Sequence, residues 1–231
     1  MADDERQDSM KLTTFKNVGP KTNVDIPVSV LNSLSCGLFR ATLKEAREFM
    51  PELNSLYDSI PLSIIDIGNY ELDVKIHMLM ANQWPCIPNW HCDNVPRGEN
   101  GITDYKLAEQ NVFNNVPKML LWVSGTPCTQ FLSRDVVIHS YPTSHSDVSR
   151  YIKELVSKED LVDDKSILTH MDPQQWVEID QLSPHRGMKS EKNQWRIFAR
   201  LTHKSILPTR QQTTVLRKHS QVYLDVSEFS W

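Results

Sequence analysis

No apolar run in this 231-residue chain approaches the roughly 20 residues that cross a bilayer, so no membrane-spanning helix is expected. The opening stretch, "MADDERQDSMK", is acidic and polar where a secretory leader is basic and then apolar, and the expected compartment is the cytoplasm. Cysteine is scarce. Cys36, Cys86, Cys92 and Cys128 are irregularly spaced, without the paired Cys-x-x-Cys motifs of a zinc knuckle, and a chain of this length needs no disulfide staples; all four read as reduced thiols. Positive charge is not in excess: 25 Lys and Arg against 29 Asp and Glu give a formal net charge of -4 and a pI of about 6.1. No global field therefore draws the protein onto nucleic acid or an anionic membrane, although a local basic face stays open. Internal repeats and low-complexity tracts are missing as well.

What is present suits a folded enzyme-sized unit. Hydrophobic residues make up 39% and charged ones 23%, and six Trp supply bulky core material. Residues 1–22 are charged and aperiodic and read as a mobile arm, leaving 23–231 as one domain. The stretch "TLKEAREFMPELNSLYDSI" has apolar residues at helical spacing interrupted by Pro51, which predicts a covering helix or two. Beyond it, "LSIID", "LDVKIHMLM", "KMLLWVSG", "TQFLSRDVVIHS", "QWVEID", "QWRIFARLT", "TTVLRKH" and "QVYLDV" are short apolar or alternating runs between turn residues, predicting roughly eight strands. One helix interrupts them, "SDVSRYIKELVSKED", capped by Ser146 or Asp147, with Val148, Tyr151, Ile152 and Leu155 on one face. The fold class is mostly β with flanking helices: a double-sheet barrel with helical packing on one side.

The chemistry centres on "NWHCDNVPRG", residues 89–98. On an extended segment His91 and Asp93 point the same way and present an imidazole nitrogen and a carboxylate oxygen to one point. A third ligand must come from a distant strand, and His185 in "SPHRG", 94 residues on, is the best candidate. Two histidines and one carboxylate with open positions is the arrangement of non-haem Fe(II) oxygenases. A second pair with the same spacing, His145 and Asp147, lies at a predicted helix start, where Asp147 is better explained as a cap or first-turn acid. Arg196 follows His185 by 11 positions, enough for a turn and a return strand, and a guanidinium suits a dicarboxylate.

The ordered set His91, Asp93, His185 and Arg196 resembles the Fe(II)/2-oxoglutarate-dependent dioxygenases, in particular the relatives of phytanoyl-CoA and ectoine hydroxylases, over roughly residues 60–205. The resemblance implies a double-stranded β-helix (a jelly roll, cupin-like), Fe(II) held by His91, Asp93 and His185, and 2-oxoglutarate anchored by Arg196. It also implies oxidative decarboxylation to succinate and carbon dioxide coupled to hydroxylation or demethylation of a substrate carbon. Arg200, four further along the same strand, shares Arg196's face and competes for the anchor, with Arg196 preferred, and Thr129 offers a second cosubstrate contact. Two alternatives stand beside this: a cupin-like metal enzyme that does not use 2-oxoglutarate, and a non-catalytic β-sandwich binding module.

The remaining expectations concern the surroundings. Trp84 and Trp90 flank the first ligand pair and either wall the metal from water or pack as core. Cys92 points away from the ligands. The tail cations Arg210, Arg217 and Lys218 protect a solvated edge strand or receive a phosphate. Residues 95–115 are the expected lid, and the substrate is a small molecule or a side chain, with nucleic acid not favoured.

Overall fold

The computed structural model describes residues 9–34, 37–114, 118–159, 167–208, 216–218, 220 and 222–224. Its strands are β1 Met10–Leu12, β2 Lys16–Asn17, β3 Gly37–Ala41, β4 Tyr70–Leu79, β5 Met119–Val123, β6 Gln130–Leu132, β7 Val136–Ile138, β8 Leu168–His170, β9 Val177–Ile179, β10 His185–Arg186, β11 Gln194–His203 and β12 Leu216–Lys218. The helices are α1 Val28–Ser33, α2 Leu43–Phe49, α3 Asn54–Asp58, α4 Ile64–Ile67, α5 Tyr105–Phe113 and α6 His145–Glu159. The chain is therefore mostly β, in antiparallel sheets. The largest has the order β12-β3-β4-β11-β5-β9-β2, a second has β10-β6-β8, and β1 pairs with β7. None of the described helices is long and apolar enough to cross a membrane.

The large sheet is built on β4 and β11, which pair over ten positions from Tyr70↔His203 to Leu79↔Gln194. Their sequences alternate, so one face carries Leu72, Val74, Ile76, Ile197, Ala199 and Leu201, all buried. That face packs on Ala46, Met50, Leu53, Leu56 and Tyr57 of the α2–α3 region. Each large apolar side chain so buried contributes about 1.5–3 kcal/mol. α2 starts at Thr42, whose side chain accepts from the Glu45 amide while Glu45 returns a bond to the Thr42 amide. Pro51 ends it, giving the expected pair of covering helices. The small sheet joins the large one through Phe131, which shares a core with Met119, Leu121, Val123, Val177 and Ile179. A third core gathers Val148 and Ile152 of α6, Tyr105 and Ala108 of α5, Trp90 and Leu132.

Four expectations are corrected. The arm is not free from residue 9 on: β1 pairs with β7, β2 pairs with β9, and Met10 and Leu12 are buried, because their apolar side chains complete the α6 core. Residues 1–8 lie outside the described part. "LSIID" contains the short helix α4 rather than a strand, since the Ser63 side chain accepts from the Asp66 amide and starts a turn. The cap of α6 is Ser144, two residues earlier than Ser146: its hydroxyl accepts from the Asp147 amide, while Asp147 accepts from the Thr143 amide and hydroxyl. "TQFLSRDVVIHS" divides into β6 and β7, which belong to different sheets.

Cys86, Cys92 and Cys128 are free thiols, and Cys36 lies outside the described residues. β12 is an edge strand, and Arg210 lies outside the described residues.

Candidate metal centre

His91 and His185 form an isolated antiparallel bridge, so the row Phe131, His185, His91 crosses three adjacent chain segments and its side chains share a face. Phe131 packs on the large sheet, so that face is the inner one. Cys92, between the ligand positions, turns outward into the core with Trp90 and Tyr105, as alternation requires. After Asp93 the chain turns sharply at Asn94, whose φ of 54° is one that asparagine tolerates better than most residues. Gly187 follows β10 because a Cβ there would stand 2.7 Å from Cys86 Sγ.

The structure brings the three predicted ligands together: one ligand atom from each of His91, Asp93 and His185 lies within 4.8 Å of the others. His91 Nε2 is 3.8 Å from Asp93 Oδ1, and His185 Nε2 is 3.6 Å from Asp93 Oδ2. The other ring nitrogens are committed elsewhere. His91 Nδ1 is 2.9 Å from the Asn89 carbonyl, and His185 Nδ1 is 3.0 Å from the Ser183 carbonyl. A carbonyl only accepts, so Nδ1 carries the proton in each neutral ring and Nε2 keeps its lone pair for a metal. Burial, and secondarily the neighbouring His185, push the His91 pKa down to about 4, which keeps its ring neutral at pH 7. Burial opposes ionisation of Asp93, but the Arg200 guanidinium and the two imidazoles outweigh it and hold the carboxyl well below the usual range. The centre is a cluster that can hold a metal ion, with two imidazole nitrogen donors and one carboxylate oxygen.

The triad opens onto a cavity of about 320 Å³. Its floor is the second face of β4 and β11, where His77 opposes Arg196, Lys75 opposes Phe198 and Asp73 opposes Arg200. Thr129, Cys86, Ile87, Phe39 and Tyr223 contribute to the walls.

The two arginines differ. Arg200 is consumed by acids: Nη1 donates to Asp93 Oδ2 at 2.5 Å, and Nε and Nη2 donate to Asp73 Oδ2 at 3.1 and 2.5 Å. Arg196 is 2% exposed, its Nε donates to the Pro127 carbonyl at 2.8 Å, and among the described residues no carboxylate pairs with it. Burial pulls its pKa down, as expected of a cation without a counter-ion.

Thr129 lines the cavity. Trp90 is buried core, with the Arg186 guanidinium 4.9 Å from its ring centre. The 95–115 stretch contributes nothing to the cavity walls among its described residues: it forms a turn and then α5, whose Tyr105 and Ala108 are buried, so the expected lid is a packed helix. His145 is not a member of the triad, yet its ring stands edge-on to His91 at 6.5 Å and its Nδ1 is 3.0 Å from the Tyr105 hydroxyl.

Sequence reasoning missed Asp73 and His77. Their signal is the alternation Glu71, Asp73, Lys75, His77 against Leu72, Val74, Ile76, which by itself describes a solvated face. Here that face is turned inward, with Glu71, Asp73 and His77 buried. No family model, curated protein or solved structure matches this chain.

Proposed function

We propose that the protein is an Fe(II)- and 2-oxoglutarate-dependent oxygenase that hydroxylates or demethylates a substrate carbon, with His91, Asp93 and His185 as metal ligands and Arg196 as the cosubstrate anchor. The observation that carries this is the buried guanidinium of Arg196, without a carboxylate partner among the described residues, in the same cavity as a two-histidine, one-carboxylate triad. A buried cation is costly unless an anion meets it. A dicarboxylate with one end at a metal and the other at Arg196 satisfies both.

The donor set fits the ion: two imidazoles and a carboxylate, open toward a cavity, suit a non-haem Fe(II) centre. When bound, iron and 2-oxoglutarate would together activate dioxygen, one oxygen atom going into succinate as carbon dioxide is lost and the other becoming available to the substrate carbon. The chain's own contribution is orientation. The Asn89 and Ser183 carbonyls fix the ring nitrogens, Arg200 occupies Asp93 Oδ2 from behind, and Arg196 with Thr129 receives the distal carboxylate.

Strand order supports a double-stranded β-helix. In chain order, β4, the His91 bridge, β5, β6, β8, β9, β10 and β11 fall in the large, small, large, small, small, large, small and large layers. These eight segments divide four to each layer, as in two interleaved Greek keys, and β2, β3 and β12 extend the large one.

Purified anaerobically and loaded with Fe(II), the protein is expected to turn 2-oxoglutarate into succinate slowly on admission of oxygen, and Asp93→Ala is expected not to. Equal turnover in both refutes the assignment. A metal enzyme without this cosubstrate would keep its metal dependence and be indifferent to Arg196→Ala.

A further inference from the structure

We infer that the prime substrate of this site is a small organic molecule bearing one carboxylate, received by Lys75. The inference rests on the oxygenase reading and deepens it. Lys75 lies on the cavity face of β4 between Asp73 and His77, and its ammonium stands 5.6 Å from the centre of the Phe198 ring on the neighbouring strand. It is exposed at this wall and, among the described residues, has no carboxylate partner.

Charge supplies the argument. Among the described residues lining the cavity, three are cations, Lys75, Arg196 and Arg200, and two are carboxylates, Asp73 and Asp93. Arg200 is held between the two carboxylates. A divalent ion and a doubly charged cosubstrate cancel each other, so the loaded site keeps one positive charge. One cosubstrate carboxylate meets Arg196, the other together with Asp93 offsets the ion, and Asp73 offsets Arg200, so the uncompensated charge is that of Lys75. One carboxylate neutralises it, whereas a phosphate monoester, at about -1.5 to -2, overshoots. The neighbouring walls, Phe39, Ile87, Phe198 and Tyr223, suit an apolar body behind the anion. A volume of about 320 Å³ is at the low end for ligand sites and is shared with the cosubstrate, which sets the substrate as small.

The test uses the full chain loaded anaerobically with Fe(II) and N-oxalylglycine, reading the melting temperature on titration with hexanoate, phenylacetate and 3-phenylpropionate, with their amides, and with phenyl phosphate. The carboxylates are expected to bind and the amides not. Lys75→Met is expected to weaken carboxylate binding about tenfold, and Lys75→Arg to keep it within about threefold. Lys75→Glu is expected to move the preference to phenethylamine. The inference is overturned if amides bind as well as carboxylates, if neither binds, if phenyl phosphate binds better, or if Lys75→Met keeps the carboxylate preference. In each of these outcomes a stabilisation by N-oxalylglycine leaves the oxygenase reading standing, whereas its absence removes both.

Discussion

His91 and His185 face each other across reciprocal backbone hydrogen bonds, the His91 amide to the His185 carbonyl at 3.1 Å and the His185 amide to the His91 carbonyl at 2.9 Å. Residues opposed in this way project to one face, so the backbone itself fixes two imidazoles with ring centres 4.6 Å apart. Two candidate ligands 94 residues apart in sequence are thereby held as firmly as a pair on one strand.

Metal binding is expected to be stoichiometric in the native chain and lost in His185→Ala. Saturating metal adds stability in proportion to its affinity, about 2.7 kcal/mol at a free concentration one hundred times Kd. Urea unfolding with and without Co(II) checks this: the native chain should gain stability and the variant none.

Asp73→Ala removes one of the two counter-ions of Arg200, the one that takes two of its hydrogen bonds, and leaves a largely buried guanidinium paired with Asp93 alone. The expected loss is about 3 kcal/mol of folding stability. Exposed Asp25→Ala is the control and should stay within about 0.5 kcal/mol. Chemical denaturation of the metal-free forms measures both.

The fold was legible where a segment carries its own pattern. The alternation of β4 and β11, the continuous apolar run of β5, the pair of helices broken at Pro51 and the apolar face of α6 are all local signals. The short strands β1, β2, β8 and β10 were not legible, because two or three residues give no period and the partner supplies their conformation. Of the candidate site, the convergence of His91, Asp93 and His185 on a cavity that Arg196 also lines was readable from residue type and order. The division of labour between Arg196 and Arg200 was not, since both share a strand face and the positions of Asp73 across the ladder and of Asp93 decide which one is neutralised. A polar alternation also cannot say whether its charged face meets water or lines a cavity.

Stability of the metal-free protein should fall with acid through His91. Its pKa is pushed down to about 4 from 6.5, so between these values the unfolded chain takes a proton that the folded one does not. The contribution is fully present above pH 6.5 and is lost as pH falls toward 4, to the extent of about 3 kcal/mol. Urea midpoints at pH 7, 5.5 and 4 should show this slope, and His91→Gln should flatten it.

Phe131 is fully buried, with its ring centre 5.6 Å from that of His185 and 4.8 Å from that of Phe15. Phe131→Ala is expected to cost about 3–5 kcal/mol, and Phe131→Leu distinctly less, by calorimetric unfolding. The leucine variant should still bind Co(II), because the backbone bridge that sets the two histidines is intact.

The most direct measurement of the central claim is the melting temperature of the metal-loaded protein with N-oxalylglycine, in the native chain and in Arg196→Ala. A rise that requires the metal and disappears in Arg196→Ala is predicted. The same rise in both proteins, or one that persists without metal, would contradict a cosubstrate bridged between the triad and Arg196.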